Sequence, residues 1–216
     1  MTKLIVFDFD GTIADTADGI IASVRETLIR MGLPMRSDAQ IRDAIGLPLK
    51  EFLIKGGNLP ENMSEEGTTI YREIFGTVAT SMIRLFDGVK DTLFALRAQG
   101  IDLAIATSRG RRTLESILES QGISELFRET LTAVDGIKAK PAPDMVLTIL
   151  ERTGYGRDEC IVAGDTSFDI EMGKNAGCHT IGVTFGNHSR SQLLAAGADW
   201  TVDDFATIAD IVHQIG

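Results

Sequence analysis

The stretch KLIVFDFDGTIAD, residues 3–15, decides the fold and contains the first candidate site. Its residues 4–7 form a short continuous apolar run, which is typical of a strand buried on both faces of a parallel sheet. The run ends at Asp8, and a second acid follows at Asp10 beside Gly11. Carboxylates at the end of a buried strand cost free energy, because burial opposes their charge and like charges repel. We therefore expect a cation or a basic side chain to balance them.

Two other interpretations of this stretch were considered. Asp and Gly are ordinary turn residues, so Asp8 and Asp10 by themselves are as well explained by a turn as by a site. A calcium-binding EF-hand loop requires Gly at its sixth position, Glu at its twelfth and a preceding helix. Counted from Asp8, these positions hold Ile13 and Gly19, and a strand precedes them, so the calcium loop is excluded.

The composition predicts a well-packed acidic protein. Hydrophobic residues make up 44% of 216 residues, and the formal net charge is −10 with a pI near 4.8. An acidic surface disfavours nucleic acid and anionic membranes as partners, because both require a basic face. Cys160 and Cys178 precede or open apolar runs and are expected to be buried, inert thiols. Asp8 and Asp10 interrupt any apolar signal segment, and no apolar run is long enough for a membrane helix, so we expect a cytoplasmic location.

The pattern of apolar residues predicts two regions that differ in secondary structure. Residues 16–85 read as helices without a convincing strand, with breakers at 46–48 and 56–60; the predicted helices cover 16–31, 38–45, 49–55 and 64–82. From residue 88 strands alternate with helices; the predicted strands are 101–106, 131–134, 161–163, 180–183 and, marginally, 200–202, and the predicted helices are 89–99, 111–121, 145–153, 169–176 and 205–215. This alternation predicts an α/β fold with a doubly wound parallel sheet. The predicted core is 1–15 and 86–216, with residues 16–85 inserted as a helical cap.

Polar residues follow the predicted strands. Ligands of open parallel sheets bind beyond the carboxyl ends of the strands, so these residues are candidates for one site. They are Asp8 and Asp10 after the first strand, Thr107, Ser108 and Arg109 after the second, and Asp165 and Asp169 after the strand at 161–163, with Lys140 preceding Pro141. The four acids are hard oxygen ligands that suit Mg²⁺ together with water and a phosphate.

The same residue types suit phosphoryl transfer. A carboxylate such as Asp8 can attack phosphorus, and Asp10, two residues on, can protonate the leaving oxygen and then activate water. Lys140 would balance the acids and stabilise the transferred group. Thr107 or Ser108, with backbone N–H groups near Gly11, would hold the phosphoryl oxygens.

These motifs resemble the four ordered motifs of the haloacid dehalogenase superfamily. The resemblance is carried by FDFDGT at 7–12, Thr107-Ser108, Lys140 in KPAPD, and GDTSFD at 164–169, and it spans nearly the whole chain. The helical insertion sits where the first-type cap of that superfamily lies. Within the superfamily the chain resembles the phosphoglycolate phosphatase group, through DGTIADTADGI, GLPLKEFL and KPAPDMVL.

The resemblance implies a role for each matching residue. Asp8 would be the nucleophile and a Mg²⁺ ligand, and Asp10 the acid and base with its carbonyl also on the metal. Asp165 would complete the metal site, and Asp169 would bind directly or through water. The chain departs from the pattern in motif two, where Ser108 replaces the usual Asn, and in Leu-Phe-Asp87, where relatives more often have Tyr-Pro. A hydroxyl can replace an amide donor, so activity is still expected.

Several other polar residues have either a structural or a functional explanation. Lys138 rivals Lys140, but the KPAPD context favours Lys140. Arg109, Arg111 and Arg112 are predicted mainly to form a solvated helix face, with Arg109 the best candidate for substrate contact. The loop at Gly46 would present backbone amides to the substrate, on the resemblance alone. His179, His188 and His213 stand near no motif and are assigned no role.

The predicted function is therefore a Mg²⁺-dependent phosphatase acting on a small phosphorylated metabolite, with phosphoglycolate as the first substrate to consider. A pyrophosphatase or a sugar-phosphate mutase of the same superfamily is the alternative within enzymes. A non-catalytic binding protein on this scaffold is the alternative from another class, but the intact acids and Lys140 argue against it. The sequence does not decide the oligomeric state.

Overall fold

A parallel six-stranded sheet forms the centre of the protein in the computed structural model, which describes residues 1–79 and 82–215. The strands are β1 (Leu4–Phe7), β4 (Asp102–Ala106), β5 (Phe127–Leu131), β6 (Cys160–Gly164), β7 (His179–Val183) and β8 (Trp200–Val202). Across the sheet their order is β5-β4-β1-β6-β7-β8. The predicted α/β class with a parallel sheet is confirmed.

The first strand occupies the middle of the sheet. β1 pairs in parallel with β4 on one side and β6 on the other, so Phe7 lies opposite Ile105 and Ala163. Alternate residues of β1 belong to two separate apolar clusters, Ile5 and Phe7 to one and Leu4 and Val6 to the other. The strand is therefore buried on both faces, as its continuous apolar run predicts.

Helices cover both faces of the sheet and form the inserted segment. The first four are α1 (Ala17–Arg30), α2 (Asp38–Arg42), α3 (Leu49–Lys55) and α4 (Ser64–Ile74). The later helices are α5 (Val89–Ala98), α6 (Arg111–Gln121), α7 (Asp144–Thr153), α8 (Ser167–Ala176), α9 (Arg190–Ala195) and α10 (Thr207–Ile215). Short 3₁₀ turns lie at 61–63, 124–126 and 157–159.

Four details of the secondary-structure prediction were wrong or incomplete. The strand predicted at 131–134 lies earlier, at Phe127–Leu131, where the alternation is obscured by charged residues. Helix α9 was not predicted; the capping box of Ser189 and Gln192 is its local signal. The helix predicted at 64–82 is α-helical only to Ile74 and then a π-helix at Phe75–Ala79, and the end of the prediction includes residues 80 and 81, which lie outside the described residues.

The fourth difference is a small second sheet. β2 (Ala14–Asp15) and β3 (Arg84–Leu85) pair antiparallel, although the sequence predicted no strand at 14–15 and no convincing strand within 16–85. This pair joins the two ends of the helical insertion, and the cap boundaries at 16 and 85 stay a prediction. No helix among the described residues is long and apolar enough to span a membrane.

Candidate active site

The buried carboxylates lie at the point in the sheet where the order of strand addition reverses, between β1 and β6. The chain builds one half of the sheet outward from β1 through β4 and the other half from β6, so a crevice opens beyond the carboxyl ends of β1 and β6. Asp8 follows β1, and Asp165 follows β6. Asp169 lies in the first turn of α8, where its carboxylate accepts the N–H of Thr166 at 2.9 Å as part of a capping box. Strand ends and a helix cap therefore place all three acids.

Lys140 lies among these acids, as the sequence predicts. Its Nζ donates to Asp8 Oδ1 at 2.6 Å and to Asp169 Oδ1 at 2.5 Å, and its side chain is fully buried. The rival Lys138 has a side chain that is 79% exposed and lies 3.8 Å from Asp144. The choice of Lys140 over Lys138 agrees with this geometry.

The charges of this cluster do not balance within the chain. Asp8, Asp165 and Asp169 are three buried carboxylates facing the single ammonium of Lys140. Burial raises the pKa of Asp8 to about 7, and nearby Asp169 and Asp10 add to the rise while Lys140 opposes it. Burial also raises the pKa of Asp165 well above its usual value, and nearby Asp169 and Asp8 add to the rise while hydrogen bonds from Asn187 oppose it. A divalent cation would remove this excess of negative charge.

The donor set fits a small hard cation. Asp8, Asp165 and Asp169 each offer an oxygen, and the three oxygens lie within 4.8 Å of one another. Carboxylate oxygens in such a group are the ligands that Mg²⁺ prefers. Asp169 already accepts Lys140 through Oδ1 and Thr166 through Oδ2, so a contact of Asp169 with the metal through water is easier than a direct one. The acidic cluster could thus hold a metal, with Asp8 and Asp165 as its best-placed ligands.

Asp10 is held by Arg109. The guanidinium donates from Nε to both carboxylate oxygens at 3.1 and 3.0 Å, and Nη2 adds a further short contact to Oδ1. Arg109 also lies over the rings of Phe9 and Phe75, with its Cζ 5.6 and 4.8 Å from their centroids. Its side chain is 5% exposed, so Arg109 is the exception to the predicted solvated face, and its contact with substrate stays a prediction. Arg111 and Arg112 do lie at the surface, half-buried and exposed respectively.

Four of the residues predicted to bind substrate line the same cavity as Asp8 and Asp10, and their contact with substrate stays a prediction; they are Gly46, Thr107, Ser108 and Arg109. Thr107 is buried after β4, and Ser108 donates to the carbonyl of Gly46 at 2.7 Å, which joins the core to the insertion. Gly46 has a φ of +105°, a backbone conformation that favours glycine. The N–H of Gly11 donates to the carbonyl of Ala14 at 2.8 Å, so this amide is not free for a phosphoryl oxygen. Gly11 instead gives close approach, because a Cβ there would lie 2.1 Å from an oxygen of Asp165.

The loop after β7 contains site residues that the sequence interpretation missed. Asn187 donates to Asp165 Oδ2 twice, from its backbone N–H and from Nδ2, each at 2.8 Å. Its side-chain oxygen lies 3.5 Å from Nη1 of Arg42, which belongs to α2 in the insertion. The hydroxyl of Thr12 donates to the other oxygen of Asp165 at 3.1 Å. The position of the loop at a strand end was an available signal, since ligands collect there.

His188 also has a structural role, contrary to the sequence interpretation. Its Nδ1 accepts the N–H of Ser167 at 3.0 Å, which leaves Nε2 as the donor facing the carbonyl of Asp43 at 3.4 Å. The ring is nearly buried and packs against Phe168. The loop 187–188 thus contacts the insertion and the buried acids of the candidate metal site at the same time.

Comparison with known proteins agrees with this architecture. The sequence pattern of the haloacid dehalogenase-like hydrolases matches residues 5–183, and the chain belongs to this family. It is 33% identical to "Probable phosphatase IndB" of Dickeya dadantii, over all of this chain and 95% of that protein. It is 27% identical to the phosphoglycolate phosphatase of Vibrio cholerae, over 97% of this chain and 96% of the relative.

The solved structures agree as well. The crystal structure of a "predicted phosphoglycolate phosphatase" from Haemophilus somnus superposes with a TM-score of 0.90 at 28% identity, covering 97% of each chain. The predicted family and the predicted enzyme class, a phosphatase, are confirmed.

Proposed function

We propose that the protein is a Mg²⁺-dependent phosphomonoester hydrolase that works through an aspartyl-phosphate on Asp8. The observation that carries the proposal is the position of Asp8. It lies buried at the end of the central strand, bonded to Lys140, and it lines a cavity that opens toward the cap. The family membership supports hydrolysis, and the acidic cluster supports a metal.

In the first step an oxygen of Asp8 attacks the phosphorus of the substrate. The bond from phosphorus to the alcohol oxygen breaks, and Asp10 gives that oxygen its proton. The two side chains are paired at rest, so Asp10 must leave its ion pair with Arg109, take a proton from solvent and turn toward the leaving oxygen before this transfer. Lys140 keeps its charge, because Asp169 and Asp8 raise its pKa although burial opposes the charge. The ammonium therefore stabilises negative charge on the transferred group throughout.

In the second step water hydrolyses the aspartyl-phosphate. Asp10, now a carboxylate, takes a proton from the water. The oxygen of that water bonds to phosphorus, and the bond between phosphorus and Asp8 breaks. The products are inorganic phosphate and the original carboxylate. When bound by Asp8, Asp165 and Asp169, Mg²⁺ would supply positive charge to the phosphoryl oxygens. Thr12 and Asn187 orient Asp165 for that contact.

The substrate is proposed to be a small phosphorylated metabolite. Phosphoglycolate appears in the names of several relatives and is the reference compound for a first assay. The cytoplasmic location stays a prediction.

Phosphate release from p-nitrophenyl phosphate, with Mg²⁺ and with a chelator, tests the proposal. The wild-type protein should release phosphate only with Mg²⁺, and Asp8→Asn should lower kcat at least about a thousandfold while the protein still melts cooperatively. Asp87→Asn is a matched control, because Asp87 is exposed outside the site. Activity that survives in Asp8→Asn would refute the covalent step, and activity that survives chelation would refute the metal requirement.

A further inference from the structure

A large cavity extends from the nucleophile to the cap. Its volume is about 980 Å³, and Asp8 and Asp10 form one end of it. Cavities of roughly 300–1,000 Å³ typically hold drug-sized ligands. A two-carbon acid such as glycolate would leave most of this space without contacts, so its lining must be considered separately from the phosphoryl site.

The wall that the insertion contributes is apolar and rich in rings. Among the described residues it includes Ile45, Leu47, Leu49, Phe52, Tyr71 and Phe75. Tyr71 and Phe75 stack with centroids 5.7 Å apart, and Phe52 meets Tyr71 edge-on at 6.2 Å. Aromatic walls of this kind favour flat apolar ligands, because ring faces and edges attract each other beyond simple area burial.

Tyr71 adds a polar group to this wall. The residue is 7% exposed and lines the cavity. Burial raises the pKa of Tyr71, so the hydroxyl stays protonated. A protonated hydroxyl on the cavity wall can donate a hydrogen bond to a ligand.

The charged residues of the cavity lie elsewhere. Arg111, Arg112 and Glu115 line it from the start of α6, on the core side, and Arg111 is already bonded to Asp135. Arg109 is bonded to Asp10. The insertion contributes Arg72 as its charged lining residue among the described positions, next to Tyr71. The rings of Phe52, Tyr71 and Phe75 therefore offer apolar area and one neutral donor, and Arg72 is the charged residue that the insertion adds beside them.

We propose that the leaving group of the substrate is a bulky alcohol that carries an apolar, preferably aromatic, ring and lies against Phe52, Tyr71 and Phe75. This inference rests on the proposed phosphatase function and narrows its substrate class. It places specificity on the cap wall, while the core residues handle the phosphoryl group. A phosphomonoester with a small acidic leaving group should accordingly be a poorer substrate.

Benzyl phosphate and ethyl phosphate test the inference, because their alcohols have similar basicity and differ mainly in the ring. With Mg²⁺ the wild-type kcat/KM for benzyl phosphate should exceed that for ethyl phosphate by about 30-fold, the ratio that burial of a phenyl ring provides. It should also exceed that for phosphoglycolate. Equal values for the two alkyl esters, or a tenfold preference for phosphoglycolate, would overturn this inference alone. Failure of all three with Mg²⁺ would refute the phosphatase function itself.

A substitution beside the rings tests whether the preference for benzyl over ethyl phosphate arises at this part of the cavity. Leu49 is half-buried at the first position of α3, and Leu49→Trp would fill the cavity beside the rings. The ratio of benzyl to ethyl phosphate should fall at least tenfold in this variant. Phe94→Trp is the control, because Phe94 is 47% exposed on α5 and does not line the cavity. An unchanged ratio in folded Leu49→Trp would overturn the assignment of the wall, and the wild-type ratio tests the inference even if this variant does not fold.

Discussion

Asn187→Ala should weaken Mg²⁺ binding, although Asn187 is not itself proposed as a ligand. The substitution removes the Nδ2–H that donates to Asp165 at 2.8 Å but keeps the backbone N–H that donates to the same oxygen. Asp165 also retains the hydroxyl of Thr12 at 3.1 Å. One of three hydrogen bonds that orient this carboxylate is therefore lost.

The expected size of the effect follows from that single hydrogen bond. A hydrogen bond to a charged group contributes about 1.5–3 kcal/mol, and loss of a residue that orients a metal ligand typically weakens metal binding about 10–100-fold. The contact of Asn187 with Arg42 is lost as well, so the insertion loses one link to the metal-binding acids. We expect the dissociation constant for Mg²⁺ to rise by about 10–100-fold.

Titration calorimetry with Mg²⁺ measures this constant directly, and the rise of Tm with Mg²⁺ gives a second readout that does not depend on activity. Asn62→Ala is the matched control, because Asn62 is exposed in the turn at 61–63. A dissociation constant for Mg²⁺ within about twofold of the wild-type value in Asn187→Ala would refute the reasoning.

Two further predictions concern the charged groups of the core. Lys140→Met leaves its buried carboxylate partners without the one ammonium that pairs with them among the described residues. The free energy of unfolding should therefore fall by about 3–5 kcal/mol in urea titrations without Mg²⁺. Lys138→Met removes an exposed amine and should change this free energy little, and equal effects of the two substitutions would contradict the charge argument. Asp102 is half-buried, and although burial opposes its charge, hydrogen bonds led by that from Arg128 hold its pKa below the usual value. Its contribution to stability is thus present above about pH 4, the pKa of an unfolded Asp, and is lost as the pH falls further through the folded pKa. Asp102→Asn should flatten the loss of Tm between about pH 5 and 3, and an unchanged slope would show that Asp102 does not contribute to it.

Local patterns predicted most of the secondary structure because they depend on neighbours in the chain. The apolar run of β1 and the caps and breakers that delimit α3 and α6 are such signals, and these elements were found at the predicted residues. The pairing of β2 with β3 was not predicted, because two-residue strands have no periodicity and are defined only by a partner some 70 residues away. The strand β5 was displaced for a related reason, since its burial depends on β4 and α7 rather than on its own alternation.

The residues of the site likewise divide into those that local sequence patterns predict and those that depend on distant partners. Asp8, Asp10 and Asp165 could be named from the sequence because they follow predicted strands, and Lys140 because it lies in KPAPD; together they resemble the ordered motifs of a known family. Arg109 could not be assigned to Asp10, because a buried ion pair between residues 99 positions apart leaves no local pattern.

The sequence by itself determined the strand–helix alternation, the class of fold and the chemical types that meet at the strand ends, since each of these is encoded in the spacing of nearby residues. Only the tertiary structure decided that Asn187 and His188 tie the insertion to the buried acids, that Arg109 holds Asp10, and that three rings line one cavity with Asp8. These contacts join segments far apart in the chain, and they exist only after the sheet has brought the ends of its strands together.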